Sequence, residues 1–212
     1  QKTAYEIKEC DWSSDVCSSD LDVTQTFFAL GHLGGTYKDP DYPALQVAAN
    51  ILGQGFSSRL VSEVRTKLGY AYNIAAVWSP DFDHQGTFRI VGSTKSASTV
   101  ETVEAIRKEL DKIRNSEVSE QELKEAKDGA LNRFVFNFAS PSQTLGRLIA
   151  YDYYGYPKDF LQQYSKAIAA VTRADVLKAA KAHFLPETLA IVAVGNPKEF
   201  GKPLSKIGRA HV

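Results

Sequence analysis

The apolar residues of this chain change their spacing in blocks, and the order of those blocks constrains the fold more than any single motif. Residues 24–31 (TQTFFALG) are short and β-rich, which predicts a strand. Asp39-Pro40-Asp41-Tyr42-Pro43 is a turn that opens a helix, with proline at an early position where its missing N–H is tolerated. Residues 44–52 continue that helix as a buried apolar run. Residues 57–68 predict a second helix with Leu60, Val61, Val64 and Leu68 on one face. Residues 70–77 and 87–91 predict two strands, joined through residues 80–86 as an antiparallel pair. A long helical block follows. Val100, Val103, Ile106, Leu110 and Ile113 step by three or four. Ser119 and Glu122 form a capping box ahead of Leu123, Ala126, Ala130, Phe134 and Phe138. Ser140 caps another helix, with Pro141 first and Gln143 closing the box. Phe160, Leu161, Tyr164 and Ile168 mark a further helix. Thr172 caps the last, which carries Val176, Leu177, Ala180 and Phe184, and residues 188–194 (TLAIVAV) predict a closing strand. Strands pair locally and helices segregate, so the fold class is α+β: a mostly antiparallel sheet with helices packed on one face.

The two ends read differently. Back-translated, residues 1–21 (QKTAYEIKECDWSSDVCSSDL) are compatible with a sequencing-library primer and its index, and residues 207–212 (IGRAHV) with the opening of the matching adapter. Both ends are expected to be assembly artefacts, which leaves 22–206 as the folded domain. Cys10 and Cys17 fall in the first segment, so no disulfide or metal half-site is expected from them. Residues 22–206 carry 22 basic and 20 acidic side chains. A balance this close to neutral argues against nucleic acid or an anionic membrane as partner. No apolar run approaches the length of a membrane span. Nothing in the sequence fixes localisation.

The stretch from Gly53 to Tyr72, GQGFSSRLVSEVRTKLGYAY, holds the chemistry. It is a glycine-broken turn, a short amphipathic helix, and a second turn that enters a strand. Arg65 stands near the end of the helix and Tyr72 where the strand opens. A guanidinium and a phenol can both donate to a carbonyl oxygen or to an oxyanion forming on it. Chemistry alone favours Arg65 as a surface helix residue and Tyr72 as a strand aromatic. This segment, together with ALGHLGGTYKDPDYPALQVAANILGQGFSSRL before it and LAIVAVGNPKEFG near the end, resembles the second, non-metal-binding half of the insulinase/pitrilysin family of zinc peptidases. The resemblance covers essentially all of 22–206. It implies a half-domain of the insulinase and mitochondrial processing peptidase type. It also implies Arg65 and Tyr72 as substrate-binding residues, a peptide substrate, and zinc on a partner half or subunit in a homo- or heterodimer of similar domains. Some members of the family are non-proteolytic core subunits of respiratory complexes, and that scaffold role is the alternative.

The inverted His-x-x-Glu-His motif of the zinc-bearing half is absent, so no metal and no catalytic residue are expected on this chain. His32 is expected to be structural, His84 solvated, and His183 placed to meet a helix dipole. Tyr70 is a competing phenol, expected on the same sheet face as Tyr72 by alternation. Gly53 and Gly55 either break a helix or admit a substrate backbone. Ser57 and Ser58 lack an evident base and are expected to cap. The charged run 117–127 is expected to be a solvated face. Tyr151, Tyr153, Tyr154 and Tyr156 are expected to pack between helices, with a peptide-groove or contact role as the alternative.

Overall fold

The computed structural model describes residues 15–20, 24–136, 138–203, 207 and 209–211, with 15–20 and 209–211 described by backbone alone. Cys10, Trp12 and most of the first suspect segment lie outside the described residues. The strands are β1 (Asp15–Asp20), β2 (Gln25–Leu33), β3 (Ala71–Ser79), β4 (Thr87–Lys95), β5 (Ala190–Gly195) and β6 (Arg209–His211). The helices are α1 (Tyr42–Gly53), α2 (Thr99–Asn115), α3 (Glu120–Phe136), α4 (Pro141–Tyr153), α5 (Phe160–Ala170) and α6 (Arg173–His183), with a π-helix at Val61–Lys67. The sheet order is β3-β4-β2-β5-β1-β6. Its first four strands are mutually antiparallel, as the sequence predicts. β1 and β6 extend the sheet in parallel beyond β5. Both of these strands come from the segments expected to be adapter-encoded.

Register explains the core. Across the inner face Leu30 pairs with Ile90 and with Ile191, and Phe88 pairs with His32 and with Trp78. All six flank the helices, and all but His32 are buried. The period of two places Phe27 and Val91 on the opposite, open face. Phe88 stacks on Phe184, at the end of α6, with ring centroids 4.4 Å apart. Val100, Val103, Ile106, Leu110 and Ile113 of α2 are all buried, as their spacing requires.

The caps follow the sequence. Ser119 and Glu122 exchange reciprocal bonds of 2.8 and 3.2 Å. Ser140 accepts from the Gln143 N–H. Thr172 and Asp175 form a complete box. The histidines are each engaged. His32 Nδ1 lies 2.7 Å from the Leu33 carbonyl, and its Nε2 accepts from the Leu185 N–H. Those partners select the neutral tautomer, and burial lowers the ring's pKa from 6.5. His84 is exposed as expected, but it sits against Asp83 and Asp81. His183 bonds Asp41 at 3.1 Å, so the C-terminus of α6 is tied to the N-terminus of α1 through a side chain as well as any dipole. The charged run is not simply solvated: Arg173 reaches Glu117 and Glu120, and Lys127 donates to the Ala169 carbonyl.

Candidate substrate-binding site

Close packing sets the start of the site. Gly53 ends α1 because a Cβ there would lie 2.3 Å from the Ala76 nitrogen, so only glycine lets the helix touch β3 so closely. This makes Gly53 a packing residue. Gly55 has φ +114 with open space around it, which is the conformation that turns the chain away from α1. Phe56, at the tip of that turn, is 89% exposed, a feature the sequence reading passed over. Ser58 donates from Oγ to the Gly55 carbonyl at 2.7 Å, closing the turn. Ser57 interacts with Glu125. Among the described residues neither serine meets a histidine.

The two arginines of the next helix have opposite fates. Arg59 pairs bidentately with Glu122, at 2.7 and 3.2 Å, and so clamps the helix to the start of α3. Arg65 is exposed, and among the described residues it makes no ion pair or hydrogen bond. Leu60, Val61 and Val64 are buried as predicted, while Leu68 closes the helix and is exposed. The helix is wound as a π-helix, with the Leu68 N–H bonded to the Glu63 carbonyl. Gly69 follows at φ +64, and the Tyr70 N–H returns to the Val64 carbonyl at 3.0 Å. A glycine in the left-handed region is the usual device for such a helix stop.

Tyr72 owes its direction to a bulge. Ala71 is opposite Thr94 and Asn73 is opposite Ser93, so Tyr72 is the extra residue on β3. Simple alternation back from Ile74, Ala76 and Trp78 would turn Tyr72 inward. The bulge instead buries Ala71 and leaves Tyr72 76% exposed. Tyr70, expected on the same face, is half-buried against the core, and its carbonyl accepts from Thr94 Oγ1. The competition between the two phenols is therefore resolved by one inserted residue. No intramolecular hydrogen bond to the Tyr72 hydroxyl occurs among the described residues.

The donor set for a metal is poor. Helix α1 contains no His, Cys, Asp or Glu. Among the described residues, Asp81, Asp83 and His84 bring ligand atoms within 4.8 Å of one another, all on the exposed β3–β4 loop. The tyrosine cluster is a packing device for that same loop: Phe82 stacks on Tyr154 at 4.9 Å and meets Tyr151 and Tyr156 edge-on. Tyr153 stays exposed.

The Arg59 clamp predicts a pH dependence. Burial raises the pKa of Glu122, but Arg59 and the Ser119 N–H outweigh it and hold the carboxyl below its ordinary 4.5. A depressed carboxylate stabilises the fold fully above that ordinary value and loses its contribution as pH falls through the folded one. Glu122→Gln is expected to cost about 1–3 kcal/mol at pH 7 and much less at pH 3, measured as urea midpoints at both values. An equal loss at both would remove the clamp.

Known proteins resemble this chain in sequence and fold. The model of the family described as the peptidase M16 inactive domain matches residues 10–130. A Rickettsia bellii protein named an uncharacterized zinc protease is 36% identical over 107 residues, which are 50% of this chain and 26% of that protein. The non-peptidase homolog YmxG of Helicobacter pylori is 26% identical over 94% of this chain and 46% of its own length. The crystal structure of a peptidase M16 inactive domain from Pseudomonas fluorescens superposes with a TM-score of 0.79 at 27% identity, over 90% of this chain and 45% of that one. The chain thus spans less than half the length of each of these relatives.

Proposed function

Since the chain belongs to the peptidase M16 inactive-domain family, we propose that it is the non-catalytic, substrate-binding half of a zinc-dependent peptidase. In this reading it completes the cleft of a zinc-bearing partner half. Its own contribution is two donors. Arg65 offers a planar fork of N–H groups, and Tyr72 offers one O–H. Together they would hold a peptide carbonyl and strengthen their bonds as negative charge grows on its oxygen. The observation that carries the reading is the contrast between the two arginines: Arg59 is spent on Glu122, whereas Arg65 stands unpaired one short turn from a tyrosine presented by a bulge. In this reading the zinc belongs to the partner half, in keeping with an α1 that carries no His, Cys, Asp or Glu.

A surface suited to a partner also exists. Helix α4 directs Leu145, Leu148 and Ile149 outward at spacings of three and four, and buries only Tyr151. Val135 and Phe136 at the end of α3 are exposed too. An apolar stripe of this kind turned toward water is characteristic of an interaction face. No helix among the described residues is long and apolar enough to cross a membrane. The relative named as a non-peptidase homolog supports a second reading, a scaffold subunit of the same fold without proteolysis.

The purified chain is expected to show no chelator-sensitive cleavage of unfolded peptides and well under one zinc per chain after dialysis. Mixed with a zinc-bearing half, it is expected to restore cleavage. Stoichiometric, chelator-resistant zinc on this chain would sink the assignment. Failure to restore any cleavage with a half known to be metal-loaded would favour the scaffold.

A further inference from the structure

A cavity of about 480 Å³ lies on the helical side of the sheet, walled by α1, β3, α3, α4 and α5. Neither Arg65 nor Tyr72 lines it. Two guanidiniums do, Arg133 and Arg147, and among the described residues no Asp or Glu does. Arg133 donates to the amide oxygen of Asn50, a neutral acceptor that leaves its charge uncompensated. Arg147 sits with the phenols of Tyr37 and Tyr151. The walls between are aromatic, and Tyr164 stacks on Tyr42 and meets Phe134 at a tilt there. Trp78, only 3% exposed, is also in the wall, and its indole N–H has no acceptor among the described residues. Buried donors of this kind normally find a partner.

We propose that this cavity binds a carboxylate carried on an apolar, preferably aromatic, body. The carboxylate suits a planar guanidinium fork, which holds both of its oxygens at once. The body suits the aromatic walls, and the volume is that of a site for one small ligand. A phosphate group would bring greater charge and hydration into a space with few other polar donors. The same chemistry is offered by the carboxy-terminal residue of a short peptide and by a free aromatic acid. The site is independent of the reading of Arg65 and Tyr72.

The test is calorimetric titration of the full chain with N-acetyl-L-phenylalanine, 3-phenylpropionate and N-acetyl-L-phenylalaninamide, with NMR of the indole N–H signals. A Trp12→Phe variant identifies the Trp78 resonance. The carboxylates are expected to bind about 10- to 100-fold more tightly than the amide, the gain of a charge-assisted pair. The tighter of the two carboxylates identifies the source as peptide end or free acid. Arg133→Gln should remove that preference and leave amide binding unchanged. Arg133→Lys, which keeps the charge and loses the planar fork, is the second variant should the first fail to fold. The Trp78 signal should shift on saturation. Equal affinity for acid and amide, or an unmoved Trp78 signal, overturns the proposal.

Discussion

In an enzyme reconstituted with a zinc-bearing half, Tyr72→Phe is expected to lower kcat/KM by about 10- to 1000-fold, the range of a lost oxyanion donor. The change removes one hydroxyl and keeps the ring. Tyr72 is exposed on a bulge and bonds nothing else among the described residues, so stability should hardly move. The loss should appear in kcat more than in KM, because the donor matters most where charge develops. Arg65→Lys is expected to reduce activity as well, since an ammonium cannot reproduce the planar fork. Arg59→Lys is the informative control. It should weaken the fold through Glu122 and leave the chemistry of correctly folded molecules intact. Unchanged kinetics in both Tyr72→Phe and Arg65→Lys, with the partner's zinc in place, would make the scaffold the better reading.

Phe88→Ala is expected to destabilise the domain by about 3–5 kcal/mol, a large share of the total stability of an ordinary domain. Phe88 is fully buried in the middle of β4. It touches Phe184 at 4.4 Å, His32 at 5.1 Å and Trp78 at 6.1 Å, so it joins the sheet to the last helix. Those neighbours are held by their own strands and helix and cannot close the space. Phe27→Ala removes a side chain of the same size from the open face, where it is 57% exposed. Its cost should stay near about 0.5 kcal/mol. Urea denaturation of the two variants measures the difference. Similar losses would mean that the open face is covered in solution.

Much of this architecture was legible because short-range rules dictate it. Residues 87–91 read as a strand, which the structure extends to Lys95, and Thr172 reads as a helix cap, which Asp175 completes. Arg65 and Tyr72 were singled out through the family resemblance, as residue types at a matching spacing. Their surroundings were not legible. Whether Arg59 or Arg65 would be the free guanidinium depended on Glu122, about sixty residues away. The direction of Tyr72 depended on a one-residue mismatch with β4, which alternation cannot anticipate. The π winding of Val61–Lys67 was likewise hidden, since its buried positions also satisfy an ordinary helix. Phe82 was overlooked because a lone aromatic in a polar loop carries no period; its partners lie at the junction of α4 and α5.

The bulge at Tyr72 also has a genetic consequence. It separates two frames of one strand. On both sides of it residues answer to the core, Ala71 before and Ile74 after, and only Tyr72 is turned out. Substitutions in the core therefore leave the orientation of the phenol untouched. A single-residue deletion at the bulge does the opposite. It would keep every core pairing of β3, restore plain alternation, and bring whichever residue then fills the position inward against the helices. In the proposed reading, loss of one in-frame codon there removes the donor and keeps the pairing of β3 with β4. Length between Gly69 and Ile74, rather than the identity of any residue, is then the trait to compare between peptidase-like and scaffold-like relatives.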